Sequence, residues 1–550
     1  MLTREEIFGY EIDPQYSTSV AYFSMEFAID QALKIYSGGL GFLAGSHLRS
    51  AYEERQNLIG IGILWKYGYY NQEWDENAHM KASYIEKNYS FLEDTGILFD
   101  IEVHGSPVKV KAWLLRPQVF GSAPLFLLST DVPENDYLSQ TITRRLYDSN
   151  ENTRIAQSIL LGTGGARLLD ILGLTPDVYH MNEGHSVSLN FYLYSKFKSL
   201  PEVNKRVVFT THTPEAAGNE EHRFEKLKQM SFFYHMQDHE VKHLLGMHGD
   251  NFNYTLAALK FARRANAVSK MHETVSRDMW KGYSGICSIN SITNAQNKNY
   301  WADPILDKAI KEDNDEAIIS RKRELKKELF KEVANQTGKL FRDDILTIVW
   351  ARRFAAYKRA DLLMYNWERF IQLINNKEQP VQVIWAGKPY PEDYNAIGLF
   401  NHIINRIKPI KNAAVLTGYE LGLSGMLKKG SDIWLNNPRL YREASGTSGM
   451  SAAMNGSINC SIPDGWIPEF ARDKENSFVV EPAEEELSLE ERDKVEAVRL
   501  IDTVEKVAVP MYYNNQKEWL QILKNGAHQV VPDFESGRMV KEYYELMYKY

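Results

Sequence analysis

The chain has 550 residues, 44% of them hydrophobic and 25% charged, the values of an ordinary soluble globular protein. At this length a single hydrophobic core is not expected, so two or more domains are. A net charge of −8 excludes bulk attraction to nucleic acid and leaves any anionic substrate to a local basic pocket.

The N-terminus, MLTREEIFGYEIDPQY, lacks a basic-then-apolar signal pattern. Without a run of about 18 apolar residues, no membrane span is expected. Further along, YSGGLGFLAGSHLRSA (36–51) sets Gly38, Gly39 and Gly41 before a helical stretch. Such glycines let the backbone approach a bound group, and a helix N-terminus favours an anion. A plain glycine-rich turn has the same pattern. DVYHMNEGHSV (177–187) and VVFTTHTPEAAG (207–218) each place a histidine after a short apolar strand, beside Asn, Glu or Thr. They read as the polar floor of a cleft. A metal site is not expected, because no Cys joins them and no HExxH pattern occurs.

Apolar runs at 206–212, 344–351, 381–388, 413–419 and 432–437 predict buried parallel strands, and 360–376 predicts an intervening helix. Strand–helix alternation implies doubly wound α/β units. The two cysteines, Cys287 and Cys460, are too few for a disulfide framework or zinc cluster and point to a reducing, cytoplasmic interior. The charged interval 303–340 predicts a helix on the second domain, which places a boundary near 295 and divides the chain into 1–295 and 296–550. The tail SGRMVKEYYELMYKY predicts a helix that closes the second domain. Two such domains facing each other would bring the C-terminal ends of their strands to a shared cleft, where ligands of open α/β sheets bind.

Two segments of the second domain carry chemistry. In VWARRFAAYKRADLL (349–363) a strand runs into Arg352, Arg353, Lys358 and Arg359. Cations at a helix N-terminus oppose its dipole, so an anion partner is expected over a merely solvated face. In EASGTSGMSAAMNG (443–456), Glu443 precedes a loop of small residues that offers N–H groups and the hydroxyls of Ser445, Thr447 and Ser448. A carboxylate beside such a loop can accept hydrogen bonds from sugar hydroxyls. A tight turn with an incidental Glu fits the same residues.

These segments resemble the α-glucan phosphorylases, most closely the shorter bacterial type, and the resemblance covers most of the chain. AYFSMEFAID, YSGGLGFLAGSHL, VYHMNEGHS, FTTHTP, NAVSKMHETVSRDMW, SITN, ARRFAAYKRADLL, GLSGMLKKGSDIWLNNP and EASGTSGM occur in the family's order. The resemblance implies the GT-B arrangement, two Rossmann-like doubly wound domains facing an interdomain cleft. It implies reversible, retaining transfer of glucosyl units between an α-1,4-glucan end and phosphate. Arg353, Lys358 and Glu443 would be catalytic. His212, Asn294, Tyr357 and Glu443 would hold sugar hydroxyls. Gly38, Gly39, Arg352, Gly446 and Thr447 would face substrate or cofactor phosphate. A homodimer follows by analogy.

The family also implies pyridoxal phosphate, held by a lysine that directly follows the Gly-Met of this loop. Here that residue is Ser451, and a hydroxyl cannot form an imine. Smaller departures are Ala295, Gln296 and Asn297 after Asn294, and Ser46 where Asp is usual. Three readings stay open: an α-glucan or maltodextrin phosphorylase-type enzyme using phosphate or a sugar phosphate, its cofactor bound without the lysine; a nucleotide-sugar glucosyltransferase of glycogen synthase type without pyridoxal phosphate; and a non-catalytic glucan-binding protein. The cation cluster opposite Glu443 favours an enzyme.

Overall fold

The computed structural model describes residues 2–549. They fold into two α/β units. The first comprises Tyr84–Asn294 together with the chain up to Tyr70 and from Ser536 onward; the second comprises Ala295–Glu535 and Asn71–Ser83.

The first unit is built on a nine-stranded sheet. Its strand order is Ile289–Ser291, Arg264–Ala267, Val207–Thr210, Val178–Asn182, Val20–Phe23, Leu58–Ile63, Leu125–Ser129, Ser106–Leu115 and Glu93–Val103. The first seven pair in parallel and the last two join antiparallel. Val20–Phe23 is buried throughout, with Val20 registered against both Leu58 and Val178. From this strand the chain winds outward one way through Leu58–Ile63, then returns to Val178–Asn182 on the other side. Right-handed crossovers therefore change face there, which makes the gap between Val20–Phe23 and Val178–Asn182 the topological switch point.

The second unit holds a six-stranded, all-parallel sheet in the order Ala413–Leu416, Val381–Ala386, Leu346–Ala351, Ile433–Asn436, Ile458–Ser461 and Ser477–Val479. The two central strands and their neighbours are wholly buried, in keeping with their near-continuous apolar runs. The same winding logic puts this switch point between Leu346–Ala351 and Ile433–Asn436. The doubly wound α/β class expected from the sequence is the observed one.

Three expectations change. The 360–376 helix is divided, because Asn366 accepts from Arg369 N (3.1 Å) and starts a separate helix, Trp367–Ile374, after a short turn at Leu362–Met364. The tail does not close the second domain. Its helix Ser536–Glu542 and the wider turn Tyr543–Tyr548 pack into the first unit. The reason is aromatic: Tyr543, Tyr544 and Tyr548 are buried, and each hydroxyl finds a first-unit partner, Asn266 Nδ2 (3.0 Å), Thr18 O (3.1 Å) and His180 Nδ1 (2.7 Å) respectively. Conversely, the 71–83 hairpin leaves the N-terminal half for the second unit. Gln72 donates to Gly387 O (2.8 Å) and accepts from Gly418 N (3.0 Å), and Met80 N donates to Asn401 Oδ1 (2.9 Å). Among the described residues no helix is long and apolar enough to cross a membrane.

Candidate active site

The site residues expected from the sequence fall in both units, some at a switch point and others farther along the sheet: His212 follows Val207–Thr210, and Asn294 follows the edge strand Ile289–Ser291. In the second unit, Leu346–Ala351 delivers Arg352 at its C-terminal end, and Ile433–Asn436 delivers Asn436 beside it. Arg352 Nη2 donates to Asn436 Oδ1, a bond that straddles the switch point. Arg352 Nη1 also stands 3.3 Å from Glu443 Oε2, and Lys358 Nζ stands 3.1 Å from the same oxygen. Glu443 is thus clamped between two cations, with all three side chains nearly buried (5–12% exposed).

Burial alone would raise the Glu443 pKa. Lys358 and Arg352 outweigh it, and the carboxyl is held below its usual range. Burial takes Lys358 down to about 8, with Glu443 opposing and Arg352 and Arg353 adding to the fall. The pair is ionised near neutrality, and Lys358 is poised to lose its proton in mild alkali. Arg353 is exposed beside them, and Tyr357 is half-buried with its ring centre 5.3 Å from Lys358 Nζ. Arg359 departs from the four-cation cluster. At φ +47° it turns inward to Asp493 (2.9 Å), Glu496 and the carbonyls of Asn437 and Pro438, which makes it a structural tie.

The 443–456 loop is shaped around Glu443. Gly446 has φ +84°, and a Cβ there would lie 3.2 Å from Glu443 Cγ. Thr447 precedes the short helix Ser448–Ala453, so the loop N–H groups gather at its start. Asp464, which sequence reasoning missed, supports the whole. Its Oδ2 accepts from Glu443 N (2.9 Å) and Arg442 N (3.0 Å), and its Oδ1 from Gly465 N (2.8 Å). Burial pushes its pKa up to about 7, opposed by these hydrogen bonds. An Asp-Gly pair just after a buried strand was the available signal.

In the first unit, Glu26 follows Val20–Phe23 and is fully buried. Its Oε2 accepts from Ser37 N (2.6 Å) and Gly38 N (3.1 Å), and its Oε1 from the Tyr147 hydroxyl (2.6 Å). A carboxylate thus already sits on the glycine turn that was expected to face phosphate. A Cβ at Gly38 or Gly39 would meet nothing within 4 Å, so the turn borders open space. Gly38 caps the helix Gly39–Glu53.

Across this switch point Asn182 Nδ2 donates to Ser24 Oγ (3.1 Å), and Asn182 Oδ1 meets His212 Nε2 at 2.7 Å. Burial lowers His212 to about 3, so the ring is neutral. Its Nε2–H donates to Asn182, which leaves Nδ1 as an acceptor. Glu183, read from the sequence only as a polar neighbour of the histidines, sits at φ +73° and accepts from His212 N (2.7 Å). Burial raises its pKa to about 7. A partly buried residue held at positive φ beside the histidine turns is a constrained position. Asn294 is buried, and its Oδ1 has no hydrogen-bond donor among the described residues.

Residues 292–511 match the carbohydrate phosphorylase family model, and 34–286 match the starch synthase catalytic domain. The maltodextrin phosphorylase of Thermococcus litoralis is 32% identical across 97% of this chain and 71% of its own length. The chain belongs to the carbohydrate phosphorylase family. The glycogen phosphorylase of Aquifex aeolicus is 30% identical over 97% of this chain and 86% of its own. An uncharacterized protein of Methanocaldococcus jannaschii is 46% identical over 96% and 99%. These matches make the protein an α-glucan phosphorylase-like glucosyltransferase with the GT-B class of fold.

The family's pyridoxal phosphate can be tested against the residues present. Its phosphate half fits the buried cations and the gathered loop N–H groups. Its aldehyde half finds no amine at 451. Ser451 is completely buried, its Oγ turns back to Ser448 O (3.3 Å), and its carbonyl accepts from Asn455 Nδ2 (2.8 Å).

Proposed function

We propose that this protein transfers glucosyl units, with retention, between the end of an α-1,4-glucan such as maltodextrin and phosphate or a sugar phosphate. The observation that carries the reading is Glu443 clamped between Arg352 and Lys358 at the switch point of the second sheet. Two buried cations around a single carboxylate keep an excess positive charge in a site of low dielectric, and an incoming phosphate is the natural complement. Lys358, Arg353 and Arg352 stabilise the charge that collects on phosphate as the glycosidic carbon departs. Glu443 accepts a glucosyl hydroxyl, aided by Tyr357, and Asp464 fixes its backbone. Taken by itself, the first unit offers the Nδ1 of neutral His212 and the Oδ1 of Asn294 as acceptors for hydroxyls, and Gly38 and Gly39 border open space. Arg352, Gly446 and Thr447 would hold the phosphate of pyridoxal phosphate, which when bound would supply acid–base chemistry through that phosphate.

Formation of glucose 1-phosphate from maltodextrin and phosphate, with pyridoxal phosphate present, tests the proposal; no product in either direction of the reaction would reject it. A second reading is favoured by the starch synthase match over 34–286 and by Ser451: a nucleotide-sugar donor whose distal phosphate takes the cation site. Calorimetry with nucleoside diphosphate glucoses separates the two, since only the second reading expects saturable heat.

A further inference from the structure

One buried lysine of the second unit has no role in the site described above. Lys428 belongs to the helix Leu421–Gly430 and is completely buried. Its Nζ lies 3.5 Å from the centre of the Trp301 ring. Trp301 is tied to the 451 position, because Asn455 Nδ2 donates both to Trp301 O (2.9 Å) and to Ser451 O (2.8 Å). The helices that carry Lys428 and Ser451 pack against each other, with Leu427 and Ala452 in one apolar core.

The same helix face reaches the cation site. Ser424, one turn before Lys428, donates to the Tyr419 hydroxyl (3.4 Å), which donates to Ala351 O (3.2 Å), the carbonyl preceding Arg352. The face bearing Lys428 therefore runs from the Ser451 turn to the strand end that carries the phosphate-binding cations. A Cβ at Gly425, three residues before Lys428, would meet nothing within 4 Å, so space is open on that turn.

We propose that Lys428 is the amine through which this chain binds pyridoxal phosphate, approaching from a neighbouring helix in place of the lysine absent at 451. The proposal rests on the reading of Arg352 and Lys358 as a phosphate site. The chemistry suits the residue. Burial drops its pKa far below the usual lysine range, which favours the neutral, nucleophilic form of the amine. The Nζ adds to the aldehyde carbon, a C=N bond forms as the C–O bond breaks, and the oxygen leaves as water with the two protons of the amine. No oxidant or reductant is consumed. The flat indole of Trp301 offers the adjoining ring surface.

The test uses the full chain mixed with pyridoxal phosphate, followed by absorbance, borohydride reduction and peptide mass mapping. The expected result is an imine band and a reduced adduct on the Lys428 peptide. Both should fall by more than about tenfold in Lys428→Met, as expected when the one reacting amine is removed. An adduct on Lys322, Lys358 or exposed lysines, or no adduct, would overturn the proposal and leave Lys428 as a prop for Trp301. If Lys428→Met fails to fold, the map of the unaltered chain decides alone. In the folded variant, adding Ser451→Lys should restore the band with the adduct at 451. Glucose 1-phosphate formation is assayed separately: an adduct at Lys428 without turnover rejects the transfer reading, and turnover without the adduct rejects only the anchor.

Discussion

Glu443→Gln is the most informative perturbation of the cation site. Glu443 Oε2 stands 3.1 Å from Lys358 Nζ and 3.3 Å from Arg352 Nη1. At an effective dielectric of ~20 each contact carries roughly 5 kcal/mol of raw Coulomb attraction, most of it offset by the loss of hydration. Removing one partner of a buried ion pair costs about 3–5 kcal/mol net, because the remaining charges stay buried and uncompensated. For a unit of this size that corresponds to a melting point lower by roughly 6–20 °C. The substitution keeps the shape of the side chain and removes only its charge, so phosphate should partly replace it. At phosphate 100-fold above its Kd, about 2.7 kcal/mol of stability returns, and the variant gains more than the parent does. Thermal melts of both proteins with and without phosphate read this directly. Turnover in the transfer assay should fall by about 10²–10³-fold if Glu443 also holds a sugar hydroxyl in the transition state. A variant that melts within a degree or two of the parent, or that gains no more from phosphate, would refute the reasoning.

Three further outcomes follow from the same geometry. Lys358 titrates near 8 in the folded protein and is a cation only below that value, so phosphate affinity should decline as pH rises through about 8 and stay flat in Lys358→Arg, as isothermal titration would show. Asp464→Asn loses an acceptor for the Glu443 and Arg442 N–H groups and should cost about 1–3 kcal/mol in chemical denaturation. Because the folded pKa of Asp464 is raised to about 7, the stability it contributes over Asn is greatest at low pH and shrinks as pH rises through about 7; a difference that grew with pH would contradict this. Gly446→Ala forces a side chain into φ +84° beside Glu443 Cγ, costing about 1–2 kcal/mol, and should lower turnover while glucan binding to the rest of the protein, followed by fluorescence, is retained.

Much of the architecture could be read from periodicity and motif order. The apolar runs at 346–351, 381–386 and 433–436 are strands because an all-parallel sheet buries both faces, and such strands leave a continuous apolar signature. Arg352, Lys358 and Glu443 were legible as a cluster because two short motifs carry them. Arg359 was misread as a fourth member, since adjacency in sequence says nothing of a φ of +47° that turns the side chain toward Asp493 and Glu496. Asp464 left only the weak signal of an Asp-Gly pair, Glu183 showed only as one polar residue of a histidine turn, and Glu26 showed nothing, because a lone carboxylate gains meaning from the N–H groups it meets.

By itself the sequence determined the family, the α/β class and the absence of an amine at 451, because each is written in local residue type and order. Tertiary structure alone decided where the long-range partners lie. It carried the aromatic tail into the first unit, where Tyr548 reaches His180 across 368 positions of chain. It set Lys428 over Trp301, whose carbonyl shares the Asn455 amide with that of Ser451. Such pairings depend on burial and hydrogen-bond closure between segments far apart in the chain, which no local pattern records.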